Sequence, residues 1–196
     1  LYKYTNVNKC YMNIFLFDPL DVQAQARAHC DAHVVKMQLE ITQMLSTVLK
    51  LNYNIDVPKL HEGFYKPTHR NHPCTKWLEL DYVNFNYGMK YLKSLIHEYE
   101  SRYKKLSSFR KQYSFINNQF DCQSQQLPES FVLAIKDEYL FQIFNDIPDK
   151  KNVSAATAKF AYQNYMRIAK SHFATWRYSE RPIFMYYDIG PQMVRH

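Results

Sequence analysis

The chain has 196 residues, 46% of them hydrophobic, with 3 Gly, 17 Tyr, 13 Phe and a formal net charge of +7. That length supports one domain with a buried core, and the apolar content excludes gross disorder. The scattered glycines exclude a Gly-rich phosphate loop and argue against a turn-rich sandwich or barrel, the charge points to a polyanion, nucleic acid first, and no apolar run approaches the roughly 20 residues that span a bilayer.

The segment Met12-Asn13-Ile14-Phe15 reads as a natural start. Residues 1–11 are then an N-terminal extension, and 12–196 a single helical domain. Asp18-Pro19 reads as a helix entrance, an acidic cap followed by Pro in the first turn. Val34, Met37, Ile41, Met44, Leu45 and Val48 keep helical spacing, so the pattern predicts a first helix to about Leu51, kinked near Ala32. Asn52, Asn54, Pro58, Gly63 and Pro67 mark a loop over 52–72. Pro73 opens a second helix, with Trp77, Leu80, Tyr87, Leu92, Leu95, Ile96 and Tyr99 as its apolar stripe and its end near Tyr103. Residues 107–152 are ambiguous: Asn117 to Gln126 reads as loop, and a short helix or irregular segment follows Leu127-Pro128-Glu129. A third helix is predicted from Ser154 to Trp176, with Phe160, Ala161, Tyr165, Ile168, Ala169 and Phe173 inward and Lys159, Arg167 and Lys170 elsewhere. The expectation is an all-α, compact single domain on three main helices with long loops.

Cys10, Cys30, Cys74 and Cys122 form no CxxC pair, so free thiols in a reducing compartment are expected. The densest polar cluster runs from His29 to Glu40. His29 and His33 are four apart and share a helical face, which Lys36 and Glu40 continue. The loop adds His69, Arg70, Asn71 and His72 just before a helix N-terminus, where side chains and free N–H groups can hold phosphate. All four histidines are expected to converge on one pocket. Arg102, Lys104 and Lys105, followed by Arg110 and Lys111, form an acid-free run read as a phosphate contact or a solvated helix end. An HxxxH pair can also bind zinc, with a third ligand from His61, His69, His72 or Cys74, but the HExxH pattern is absent and no metal is expected.

Two blocks carry a family resemblance. Lys36 to Leu45, with its Lys-Met-Gln-Leu-Glu opening, and His69-Arg70-Asn71-His72-Pro73-Cys74-Thr75-Lys76-Trp77 with the helix after it resemble the pyrimidine-dimer DNA glycosylase (phage endonuclease V-like) family. The resemblance covers roughly residues 12–105. It implies an all-α fold, duplex DNA as partner, and extrusion of a nucleotide. It also implies glycosylase/lyase chemistry, in which an N-terminal α-amine attacks the sugar C1′ and a helix-one glutamate assists.

On that resemblance Glu40 is the expected carboxylate that stabilises positive charge at the sugar. Lys36 is expected first as a phosphate contact and second as a substitute amine, because residues ahead of Met12 displace the α-amine. His33 is a neighbour that would lower the pKa of Lys36. His29, His69, Arg70, Asn71, His72, Arg102, Lys104 and Lys105 are the expected DNA contacts. The resemblance calls for no cofactor and no membrane. It places the protein in an infected bacterial host or a phage virion, where virion proteins are further candidate partners. Two alternatives stand beside it: a non-catalytic DNA-binding or virion-associated protein on the same scaffold, and a His-based metal enzyme.

Overall fold

The computed structural model describes residues 13–59, 61–120 and 125–186. The start at Met12, the extension over 1–11, Cys10 and Cys122 lie outside the described residues. Among those residues there are seven α-helices and no strand: α1 (Val22–Ala28), α2 (Asp31–Tyr53), α3 (Pro73–Glu79), α4 (Tyr82–Tyr103), α5 (Arg110–Gln119), α6 (Asp137–Phe144) and α7 (Ala155–Tyr165). The all-α expectation holds. No helix among the described residues is long and apolar enough to cross a membrane.

The three expected helices are each divided, for reasons that lie in tertiary contacts. The first breaks at His29-Cys30, where both residues are extended. Asp21, not Asp18, caps α1, its carboxylate accepting from the Gln23 and Ala24 N–H groups. The carbonyls freed at the end of α1 all find donors. Arg102 donates to Arg27 O and His29 O, each at 2.9 Å, and the Trp176 indole donates to Ala28 O at 3.2 Å. The chain can therefore stop one helix and start another without leaving buried acceptors unpaired.

The second expected helix breaks at Leu80-Asp81. Asp81 caps α4 by accepting from the Asn84 N–H at 2.8 Å, and the Asn84 amide donates back to Trp77 O at 2.8 Å, tying α4 to the end of α3. The third ends early: α7 widens into a π-helical turn over Met166–Lys170, and residues beyond it are needed elsewhere, Thr175 O accepting from the Asp31 N–H at 2.8 Å. The ambiguous 107–152 stretch supplies α5 and α6. α5 takes in Asn117, which the sequence pattern assigned to a loop.

The core lies where α2 and α4 pack together, with α1 and α3 laid against them and the extended segment Asn13–Phe17 threaded through it. At Gly88, α4 meets side chains of both α3 and α2 closely. A Cβ on Gly88 would lie 2.6 Å from Leu78 Cδ2 and 3.2 Å from Leu45 Cδ2. Three buried hydroxyls of α2 are satisfied locally: Thr42, Ser46 and Thr47 donate to carbonyls one turn back, at 2.7, 2.6 and 2.9 Å.

Arg102 is the costliest of these residues to lose. Its side chain is 1% exposed and pairs with Asp31 at 3.1 Å and Glu98 at 2.7 Å. Arg102→Met strands two carboxylates and two carbonyls. We expect a loss of about 3–5 kcal/mol, read as a fall in the urea midpoint without a change in helical circular dichroism at low denaturant.

Candidate functional site

The segment after Met12 is held from four directions at its first described residue. Asn13 donates its backbone N–H to Glu40 Oε2 on α2 at 3.1 Å and its side-chain amide to Ala134 O at 3.0 Å. Its side-chain oxygen accepts from the Tyr162 hydroxyl on α7 at 2.9 Å and from Cys74 Sγ on α3 at 3.8 Å. The same Tyr162 hydroxyl accepts from the Ala134 N–H at 3.0 Å. Asn13 is therefore positioned by every layer of the fold at once.

Glu40 faces that nitrogen from a buried position, its side chain 5% exposed, while Lys36 Nζ lies 2.9 Å away with its side chain 40% exposed. Burial raises the Glu40 carboxyl above the ordinary carboxylate range, and the bond to Lys36, its charge, the Asn13 N–H and the His69 charge pull the other way. The i,i+4 spacing that places Lys36 and Glu40 on one helical face thus gives a pair with one end in the core and the other at the surface.

The Thr68–Pro73 turn docks beside them. Thr47 on α2 exchanges two hydrogen bonds with the Thr68 backbone, each 3.0 Å. His69 takes the left-handed conformation and its Nδ1 meets the Thr68 hydroxyl at 2.7 Å. Arg70 and Asn71 are exposed at the turn, and His72 caps α3 by accepting from the Cys74 N–H at 3.2 Å, with Pro73 in the first helical position.

A cavity of about 320 Å³ opens beside Asn13, lined by Phe15, His72, Ile135, Tyr165 and three lysines, Lys136, Lys150 and Lys170. A larger cleft of about 500 Å³ between α1 and α4, bordered by Tyr87, Lys90, Lys93 and His97, contains none of the expected catalytic or DNA-contact residues. The smaller cavity is lined by Asn13, whose N–H bonds the buried Glu40, and is the candidate site.

Several expectations need correction. The four histidines do not share one pocket. His29 and His33 lie in the core, their rings 5.6 Å apart, with His33 stacked on Phe15 at 4.6 Å and edge-on to Phe173 at 5.7 Å. His29 Nε2 bonds the Tyr91 hydroxyl, while His29 Nδ1 and both nitrogens of His33 have no hydrogen-bond partner. Burial takes both histidines away from the surface where DNA would bind, and neither lines either of the two cavities, against the expected DNA contact at His29 and catalytic role of His33. Arg102 is not a phosphate contact either, since its guanidinium is consumed inside the fold. Lys104 and Lys105 are exposed just past the end of α4 and line neither of the two cavities. Arg110 is committed to Glu100, at 2.6 Å through its second nitrogen. Among the described residues no group of three or more His, Cys, Asp or Glu side chains could hold a metal ion, which leaves the metal-enzyme alternative without a site there.

Sequence reasoning missed Asn13, Tyr162 and the three lysines. Asn13 and Tyr162 carry no local signal, because their roles arise from contacts 27 and 149 residues apart. Lys170 stood on the predicted third helix as an outward residue.

Residues 12–111, just over half of the chain, match the pyrimidine dimer DNA glycosylase family. The chain belongs to that family. Glu40, Lys36 and the His69–Trp77 block lie inside the matched region, whereas Ala134, Ile135, Lys136, Lys150, Tyr165 and Lys170 of the cavity wall lie beyond it. No curated protein and no solved structure matches the chain.

The buried histidines give this family member an acid-sensitive core. Burial, then the charge of Lys170 and Lys36, lowers His33 from 6.5 to about 3; burial, His33 and Arg102 lower His29. Both titrate near their ordinary value when unfolded, so the unfolded chain binds the extra protons and stability falls as pH drops below about 6.5. Each histidine contributes roughly 1.4 kcal/mol per pH unit on that limb. Urea midpoints measured from pH 7 to pH 5 should fall steeply for the wild type, and His33→Leu should flatten the fall by about one histidine's share.

Proposed function

We propose that the protein acts on DNA as a glycosylase with lyase chemistry, at the cavity beside Asn13, with Glu40 as its carboxylate. The observation that carries this reading is the Asn13 nitrogen held 3.1 Å from a buried Glu40 within the family-matched region. In a chain beginning at Asn13 that nitrogen is a primary amine, set against a carboxylate as the family chemistry requires.

The steps then assign themselves to groups already described. The amine lone pair attacks C1′ of the target nucleotide. The C1′–base bond breaks with its electron pair leaving on the base, which takes up a proton. Glu40, whose carboxyl burial shifts upward, accepts the proton lost by the amine and stabilises the positive charge at C1′ in a site of low polarity. Opening of the sugar ring gives a Schiff base. Loss of a C2′ proton then expels the 3′ phosphate and cuts the strand. Lys36, 2.9 Å away, favours the charged form of Glu40 against that burial and presents its exposed stem toward the duplex. An extruded nucleotide costs least at a lesion, which fits an enzyme of this type to damaged DNA.

Borohydride trapping on abasic and ultraviolet-irradiated duplexes tests this. A chain whose first residue is Asn13 should yield a covalent adduct. Glu40→Gln should lower its rate by about 10²-fold or more, and Lys36→Ala should act mainly on DNA affinity. Absence of both adduct and strand cleavage on either substrate would replace this reading with that of a non-catalytic DNA-binding protein.

A further inference from the structure

The cavity beside Asn13 gathers three ammonium groups from three separate segments. Lys136 stands at the N-cap of α6, Lys150 in the turn before α7, and Lys170 at the end of the π-helical turn. All three lie outside the family-matched residues 12–111.

Five residues along an α-helix would carry Lys170 about 140° around the axis from Tyr165. The wider π turn reduces that offset, and Lys170 Nζ sits over the Tyr165 ring, 5.4 Å from its centroid. Such turns interrupt helices at a cost and recur at functional sites. Tyr165 itself is largely buried and lines the same cavity.

The acids near these lysines are loosely engaged. Lys136 pairs with Glu138 at 3.4 Å and Lys150 with Asp137 at 2.9 Å, but the two carboxylates are 59% and 64% exposed. Exposed pairs of this kind hold little in water, so the ammonium groups can turn to a stronger anion. The remaining wall is apolar or neutral, with Phe15, Pro73, Ala134 and Ile135 beside Asn13 and His72. A volume of about 320 Å³ is at the small end of ligand sites and suits one sugar-phosphate unit rather than a base pair.

We infer that this lysine-lined cavity is a phosphodiester subsite for the strand carrying the target nucleotide, built by residues 134–170 onto the family-matched core. The inference rests on the DNA reading above and extends it. With the target sugar at the Asn13 nitrogen, the adjoining phosphate falls among Lys136, Lys150 and Lys170. Its flanking sugar lies against Ile135 and Tyr165.

The test is fluorescence-anisotropy binding of the full chain to a duplex bearing a tetrahydrofuran abasic analogue, across about 50–200 mM salt. Lys150→Ala and Lys170→Ala should each weaken binding several-fold at low salt. Each should also make the log–log salt slope shallower by about 0.9, and the double variant by about twice that. Lys→Arg at either position should restore the slope. An unchanged slope in the double variant, failure of Arg to restore it, or no wild-type binding overturns the subsite. At constant ionic strength, inorganic phosphate that fills the cavity should compete with the strand, weakening wild-type binding toward the level of the double variant and leaving the double variant unchanged. Equal weakening of both would overturn the strand contact. Trapping with the wild-type sequence started at Asn13 reads the chemistry separately: a shallower variant slope beside an absent adduct removes the catalytic reading and leaves the subsite standing.

Discussion

One buried guanidinium organises the molecule. Arg102 enters the gap between α1 and α2, neutralises Asp31 and Glu98, and closes the open carbonyls of Arg27 and His29. Asp31 in turn accepts from the Arg177 N–H at 2.8 Å, so the strap that follows the π turn is anchored to the same point. A single charge thereby fixes the angle between two helices, the end of a third and the path of the C-terminal part of the described chain. A buried charge is tolerable only when every partner is in place. The geometry of this junction is consequently all-or-none, and the residues it positions are fixed with it.

The site inherits that rigidity. With α2 fixed at its start, Glu40 is set two and a half turns further along, and the Asn13–Phe17 segment has one path past it. Asn13 is bonded to α2, α3, α7 and the 131–135 segment together. In the proposed reaction such bonding fixes the orientation of the Asn13 nitrogen before substrate arrives, which is where positioned groups gain most of their effect. The aromatic packing of Phe15 on His33 and near Tyr162, with ring centroids 4.6 and 5.8 Å apart, keeps the floor of the cavity from moving.

The sequence pattern carried the helical class, the two long helices and the pair Lys36–Glu40, because these follow from local periodicity and i,i+4 spacing. It did not carry the helix breaks. At His29-Cys30 there is no Gly or Pro; the interruption exists because Arg102 and Trp176 supply donors from more than 70 residues away. The same limit explains the misplacement of Arg102 itself. Read along the chain it sits in a basic run beside Lys104 and Lys105, and only the tertiary fold turns it inward while its neighbours stay outside. His33 is the converse case, a polar residue at a site-like spacing that the core absorbs as an aromatic ring. Lys170 was assigned an α-helical direction, and the π turn changed that direction without leaving any mark in composition.

Cys74 illustrates what such burial does to reactivity. Its sulfur lies against Asn13 within the site, yet enclosure pushes the thiol up to about 12, and Cys30 at the α1–α2 junction is raised as well. Thiolate is the form that alkylating and oxidising agents attack. Neither sulfur is both ionised and reachable in the folded protein. Beside the proposed nitrogen and carboxylate, the fold thus keeps a sulfur that burial holds protonated and out of reach of peroxide and disulfide exchange.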